Sequence, residues 1–493
     1  MSLNIDKPLE KNPIETFNQF FYPKSIAIVG TSARNDWFWL RNMISLDFSG
    51  KIFPVNPKHS SALGLSFYDK IANIPEDIDH VIIAVPAKHV KGVLQECILK
   101  KVKLVTIFSS GFSELGTEEG KELEQELIDL KRSTKSDIRI LGPNCVGVYC
   151  PESGLSFRPD FTRQSGRVGF LSQSGGLAIN MGLRGKVFKM FFSKIISFGN
   201  AADVKPLELL EYLGKYDRKT RIIGIYIEGI KEKKGPEFMQ VLKEVTPKKP
   251  VIILRGGQTT VGARAALSHT GSLSGSNQLW KSLFQQTGAI PVNSFEELVE
   301  TLLAFNFNFR HLPKGNNVGL LSVSGGVSVV NTDICSQLGL NIPKLSPESV
   351  SDLQKVVNDV GTSVTNPLDL AASFFNIHAL KTAIGALGND PNIDAIIIEI
   401  ANHYIYTPEE AGAEGYAQLF YETVLSLLKR IRRRKDKPVL VAFPPIAFET
   451  RRIWDRKLFI NAKIPIFSSI TAAAQALAHL IAYSKYVETI KNQ

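Results

Sequence analysis

The stretch Leu267-Ser268-His269-Thr270-Gly271-Ser272-Leu273-Ser274-Gly275 sets one imidazole among small, donor-rich residues. It follows Val251-Ile252-Ile253-Leu254-Arg255-Gly256-Gly257, which reads as a buried strand running into a glycine turn. A histidine in a loop just past a strand's C-terminal end lies where open α/β sheets bind ligands. Its free pKa leaves much of the imidazole uncharged near neutral pH, so it can act as a nucleophile. Gly271 and Ser272 leave room for a bulky anion and supply donors, as a phosphohistidine requires. The plain alternative is a histidine that caps a turn.

Two other features bear on this choice. Ser174-Gly175-Gly176 opens a helix after the strand Arg167-Val168-Gly169-Phe170-Leu171. Ser174 there is either an ordinary N-cap or part of an anion cradle. Glu228 ends the strand Ile222–Ile227. A carboxylate in that place can orient a histidine or withdraw its proton, or it can simply bond to rim backbone N–H groups.

The elements that must position these groups alternate between strand and helix. Strands are expected at Ser25–Val29, Lys51–Val55, His80–Val85, Leu104–Phe108 and Ile138–Leu141, with helices at Lys88–Lys100 and Glu118–Lys131 between them. This alternation predicts parallel, doubly wound sheets. Each strand ends in turn-forming residues: Gly30-Thr31-Ser32, Asn56-Pro57-Lys58, Val85-Pro86, Ser109-Ser110-Gly111 and Gly142-Pro143-Asn144-Cys145. Such a rim can hold a long ligand, and Gly30-Thr31-Ser32 can present N–H groups to a phosphate. No glycine follows Gly30 at the dinucleotide-fingerprint spacing, which argues against an NAD-dependent oxidoreductase.

The last third of the chain repeats the middle third. Asn317-Val318-Gly319-Leu320-Leu321-Ser322-Val323-Ser324-Gly325-Gly326 matches Arg167 to Gly176, Glu399 falls close to the place of Glu228, and Lys437-Pro438-Val439 echoes Lys249-Pro250-Val251. The interval from Pro438 to Pro465 is shorter than its counterpart from Pro250 to Pro291, and the histidine segment falls in the missing part. An added segment carrying one histidine, present in one copy only, is hard to explain by core packing. It favours the chemical reading of His269.

At 493 residues the chain has room for about three domains. No apolar run approaches the ~20 residues of a membrane span, and the polar N-terminus has no signal-peptide core. Cys97, Cys145, Cys150 and Cys335 show neither metal spacing nor a disulfide framework, which points to a reducing, cytoplasmic enzyme. The net charge of +11 favours an anionic ligand or partner. The run Arg432-Arg433-Arg434-Lys435 reads as a solvated helix end, and no aromatic–basic interleaving suggests nucleic acid.

Taken together, Val55-Asn56-Pro57-Lys58, Val85-Pro86-Ala87, Gly142-Pro143-Asn144-Cys145, Ser172-Gln173-Ser174-Gly175, Glu228-Gly229-Ile230 and Ser268-His269-Thr270-Gly271-Ser272 resemble the α subunits of NDP-forming acyl-CoA synthetases, in the succinyl-CoA synthetase superfamily. The resemblance runs from about Asn18 to Ala482. It implies an α/β chain with a Rossmann-like CoA-binding domain over 15–150. Two flavodoxin-like, doubly wound ligase domains would follow over 151–312 and 313–493. By the same resemblance, acyl-CoA and phosphate give an acyl phosphate and free CoA, and His269 takes the phosphoryl group. ADP then receives it on an ATP-grasp β subunit that binds ATP or ADP with Mg, in an α2β2 assembly. Glu228 would orient His269, and Ser174, Gly175, Gly176, Gly271 and Ser272 would hold phosphate. Gly30, Thr31, Ser32, Arg34, Asn56, Lys58, Val85, Pro86, Ser109, Ser110, Gly111, Asn144 and Cys145 would hold coenzyme A, with Cys145 near its thiol end. The chain departs from the family at Trp37-Phe38-Trp39, bulky residues where a Lys-x-Gly segment is usual, placed to stack on adenine or to alter how CoA binds. The competing reading is a catalytically silent acyl-CoA-binding regulator of the same fold.

Overall fold

The computed structural model describes residues 17–230, 234–270, 276–357 and 361–492. The chain divides into two compact units between Asn293 and Ser294, so the helix Phe295–Asn308 groups with the second unit.

The first unit holds two sheets. Its strands in chain order are β1 (Ser25–Val29), β2 (Lys51–Val55), the short hairpin β3 (Ser61–Ala62) and β4 (Leu65–Ser66), β5 (His80–Ile83), β6 (Leu104–Ile107), β7 (Arg139–Leu141), β8 (Gly147–Tyr149), β9 (Val168–Ser172), β10 (Phe192–Ser197), β11 (Ile222–Ile227), β12 (Val251–Arg255) and β13 (Ile290–Val292). The first sheet runs β2-β1-β5-β6-β7, all parallel. Runs such as His80-Val81-Ile82-Ile83 are buried along their whole length, as parallel strands covered on both faces must be. Ala27, Val81, Ile83, Val105, Ile107 and Ile140 pack with Val90 and Leu94 of the helix Ala87–Leu99 and Leu127 of the helix Glu118–Ser133. Burying these apolar faces is the main force holding helices to the sheet.

The second sheet runs β13-β12-β11-β9-β10-β8, with only β8 antiparallel. Lys194 of β10 is wholly buried there. It pairs with Asp217 at 3.1 Å and lies 5.2 Å from the ring of Phe21 and 5.9 Å from that of Tyr212. A buried cation needs such partners. They also tie the N-terminal helix Phe17–Phe21 to the second sheet.

The second unit holds β14 (Val318–Ser322), β15 (Leu368–Asp369), β16 (Ala395–Glu399), β17 (Val439–Ala442) and β18 (Ile466–Phe467), in the order β15-β14-β16-β17-β18. This order repeats β10-β9-β11-β12-β13, so the duplication read in the sequence is also a duplication of topology. The copies differ after their fourth strand. In the first unit β12 is followed by two helices, Thr260–Thr270 and Asn277–Thr287, before β13. In the second unit β17 leads to β18 through the single helix Glu449–Asn461. No helix among the described residues is long and apolar enough to cross a membrane.

Candidate functional site

Within the first unit, the C-terminal ends of five strands surround a cavity of about 500 Å³. Val85 and Pro86 follow β5, Phe108, Ser109 and Ser110 follow β6, and Asn144 and Cys145 follow β7. The other side is built by Gln173, Ser174, Gly175 and Gly176 after β9 and by Gly199 and Asn200 after β10. The expected ligand rim of the first sheet and the expected anion cradle of the second therefore share one cavity. The helix Gly175–Phe188 points its first N–H groups at this end, where the helix dipole favours negative charge. Ser174 caps the same helix, its hydroxyl accepting from Leu177 N at 3.3 Å. The capping reading of Ser174 thus holds, while the start of the helix still lines the cavity.

The cavity walls are fastened by the predicted Ser109 and by two side chains that the sequence did not single out, Glu114 and Asn200. Glu114 accepts from Gly111 N at 2.6 Å, and Asn200 donates to Glu114 at 2.6 Å. This ties the turn after β6 to the turn after β10. The Ser109 hydroxyl donates to Val85 O, linking the ends of β5 and β6.

The remaining predicted ligand residues form a second stretch of the same rim. Gly30 N donates to Val55 O at 3.1 Å, and Asn56 Nδ2 donates to Thr31 O at 2.9 Å. Gly30 has φ +96°, and a Cβ there would stand 2.4 Å from Ala84 O. The turn must be glycine because three strand ends converge on it. Thr31 is buried, and its hydroxyl has no hydrogen-bond partner among the described residues, whereas Arg34 and Lys58 are exposed. Neutral donors beside flexible cations suit an elongated anionic ligand such as CoA. Gly30, Thr31, Ser32, Arg34, Asn56, Lys58 and Gly111 do not line the cavity itself.

Cys145 keeps its expected place in the cavity wall, and the expectation at Trp39 needs correction. Cys145 lines the cavity, but its buried Sγ lies 3.6 Å from Ile107 O and from Leu141 O, and burial pushes the thiol up to about 12. It is a packing thiol facing strand-end carbonyls, not a reactive one. Trp39 is 2% exposed and lies edge-on to Phe108 at 5.2 Å, so it is core and cannot stack on a nucleobase. The helix Phe38–Ser45 turns Trp39, Leu40 and Met43 inward. Trp37 instead packs edge-on against His59 at 4.9 Å and Phe67 at 5.6 Å.

Glu228 sits beside the cradle. The register pairs Tyr226 of β11 with Ser172 of β9 and Ile227 with Arg255 of β12, which sets Glu228 between Gln173 and Gly256. The carboxylate is 5% exposed. It accepts from Tyr226 Oη at 2.9 Å and lies 3.5 Å from Gln173 Nε2, while Glu228 N donates to Gln173 Oε1 at 3.0 Å. Tyr226, half-buried beside this carboxylate, has its phenol pKa pushed up by burial and by the charge of Glu228. Glu228 is thus held by side chains and not only by backbone. Its i, i+2 spacing from Tyr226 is the sequence signal for that pairing.

The backbone of Leu267–Thr270 continues the helix Thr260–Thr270, so His269 falls in a last helical turn and not in a loop. Ala263, Ala265, Ala266 and Leu267 are strong helix formers, which explains the extension. Gly271 and Ser272 lie outside the described residues, as does the His269 side chain.

Comparison with known proteins bears on these features. Residues 24–151 match the CoA binding domain family, and residues 165–305 match the succinyl-CoA ligase like flavodoxin domain family. The chain is 38% identical over 433 residues to the acetate–CoA ligase (ADP-forming) II subunit alpha of Pyrococcus furiosus, covering 86% of this chain and 89% of that protein. It is 38% identical over 477 residues to the acetate–CoA ligase (ADP-forming) I subunit alpha of the same organism, covering 94% and 97%. The dinucleotide-forming acetyl-coenzyme A synthetase 1 of Ca. Korarchaeum cryptofilum, solved in complex with phosphate and ADP, superimposes with a TM-score of 0.83 at 30% identity, over 97% of this chain and 99% of that one. With its CoA-binding sheet, its duplicated flavodoxin-like sheets and this degree of identity over nearly its full length, the chain belongs to the α-subunit family of the ADP-forming acyl-CoA synthetases, which are acid–thiol ligases.

Proposed function

We propose that the chain interconverts acyl-CoA, ADP and phosphate with a carboxylic acid, CoA and ATP, through an acyl phosphate and a phosphohistidine at His269. The observation that carries this reading is the extra segment after β12, with the helix Thr260–Thr270 that bears His269, which has no counterpart after β17 in the otherwise matching copy.

In the direction of ATP formation, phosphate bound at the start of the helix Gly175–Phe188 attacks the thioester carbonyl. The C–S bond breaks, CoA leaves as the thiol, and an acyl phosphate remains. His269 then attacks phosphorus, releasing the carboxylate, and carries the phosphoryl group to ADP. The protein's part is positioning and charge stabilisation, as phosphoryl transfer requires. Ser174, Gly175, Gly176, Gly271 and Ser272 are assigned to phosphate, and Glu228 to orienting the imidazole, fixing which nitrogen carries the proton so that the other can attack, and stabilising the positive charge that forms on the ring. The two-part rim from Gly30 to Cys145 is assigned to CoA, with Lys58 and Arg34 meeting its phosphates and Cys145 contributing only to the wall.

The relatives named as α subunits imply a β subunit. That partner is proposed to be an ATP-grasp chain holding ADP or ATP with Mg, in a cytoplasmic α2β2 assembly. The relatives named for acetate support a short-chain acyl group. The functional domains are assigned to 15–150, 151–312 and 313–493. The test is ATP formation from acetyl-CoA, phosphate and ADP by the chain mixed with such a β subunit. Turnover that needs both chains is expected. CoA binding without any ATP formation would establish the silent, regulatory reading instead.

A further inference from the structure

The segment carrying His269 leaves the sheet at the end of β12 and returns at the helix Asn277–Thr287. One guanidinium bridges these two ends. Arg255, the last residue of β12, donates through Nη2 to Gly257 O at 3.1 Å and to Asn277 Oδ1 at 2.7 Å. Asn277 Nδ2 donates back to Gln258 O at 3.0 Å, and Gln258 Nε2 donates to Arg255 O at 3.0 Å. The departing and returning strands of chain are thus closed into a ring of four hydrogen bonds.

Arg255 is an unusual residue to find there. It is 6% exposed, has no ion pair among the described residues, and lies 5.5 Å from the Trp280 ring, with its Nε buried and unpartnered. Burying a guanidinium without a carboxylate is costly, so a residue kept only for packing would be apolar here. The next residue, Gly256, contacts the other half of the site. Its N donates to Ile227 O at 2.9 Å, and a Cβ on it would stand 2.9 Å from both Glu228 Cγ and Tyr226 Oη. The ring therefore abuts the Glu228–Tyr226 pair through one residue of backbone.

We infer that Arg255 and Asn277 form a clasp that fixes the base of the His269 segment relative to Glu228, making both of them positioning residues for phosphoryl transfer. The inference rests on His269 being the phosphoryl carrier. Fixing both ends of a segment restricts the places its middle can reach, and small misplacements of a reacting group cost much in rate. Neither residue reaches the CoA rim, so loss of the clasp should lower kcat and leave the KM for acyl-CoA unchanged.

The test uses the complete complex with the nucleotide-binding subunit and three variants: Asn277→Ala, Asn277→Asp and Arg255→Gln. Asn277 is exposed, so its replacement leaves the fold intact even if Arg255→Gln fails to fold. Three things are measured: kcat and KM for acetyl-CoA in the complete reaction, the phosphorylation of His269 from acetyl-CoA and phosphate, and the rate of tryptic cleavage after Arg264 inside the segment. Asn277→Ala is expected to lower kcat about tenfold with KM within about twofold, and to speed cleavage. Asn277→Asp keeps an acceptor for the guanidinium and should behave close to wild type. Asn277→Ala with wild-type turnover and wild-type cleavage overturns the clasp. If wild-type complex shows no phosphate on His269, the functional reading fails, and the cleavage rates still decide whether the clasp exists.

Discussion

At the scale of single residues, the site turns on what holds Glu228. Its carboxylate faces Tyr226 and Gln173 in a buried place, so its position depends on these neighbours. Tyr226→Phe keeps the ring and removes one hydrogen bond to a carboxylate, worth about 1.5–3 kcal/mol. Phosphorylation of His269 from acyl-CoA and phosphate should slow about tenfold, with CoA affinity by calorimetry unchanged. Glu228→Gln keeps the shape, removes the charge, and should slow the same step by at least about tenfold. Full single-turnover phosphorylation in both variants would reduce the pair to rim structure. Individual residues were unevenly legible. Glu228 and the glycine-led cradle showed themselves by type and position. The place of Cys145 at the cavity was legible too, but not what its sulfur faces, because a sequence shows the proximity of a thiol to a turn and not the carbonyls around it. Asn200 and Glu114 meet across 86 positions of chain, and local pattern carries no trace of such a pairing.

At the scale of elements, the strand ends are the working parts, and Gly30 is one of the most tightly enclosed of them. Any side chain there needs a left-handed backbone and also collides with Ala84 O. Gly30→Ala should therefore destabilise the first unit by about 2 kcal/mol or more, read as a lower urea midpoint. CoA binding should weaken with it, because β1, β2 and β5 converge on this turn. An unchanged midpoint with full CoA affinity would mean that the turn can relax and does not shape the rim. Strands were well legible: β-branched runs bounded by turn residues gave β1, β2, β5, β6, β9, β11 and β12 their places. The last turn of the helix Thr260–Thr270, from Leu267, was read as loop because serine, threonine and glycine around His269 outweighed the alanines before it. Trp39 was misread as ligand-facing because a short amphipathic helix hides which of three adjacent aromatic residues points inward.

At the scale of the whole chain, one fold unit has been used twice and altered once. The matching strand orders show that the same sheet was kept, and the extra helix after β12 shows where it was changed. The duplication could be read because the strand-to-glycine turns of both copies survive; the helices between them had drifted beyond recognition. Lys194 could not be read at all, since a lysine buried among rings and an aspartate looks in sequence like any solvated one. The difference between the copies supports the proposal that one imidazole carries the phosphoryl group, and one labelling experiment addresses that most directly. The chain and its nucleotide-binding subunit are incubated with radiolabelled ATP and magnesium, and the phosphate on each chain is mapped. Base-stable, acid-labile phosphate is expected on this chain at His269, and none on a folded His269→Ala variant, which should also fail to form ATP. Label that persists in His269→Ala, or a complex that forms ATP without ever labelling this chain, would contradict this proposal.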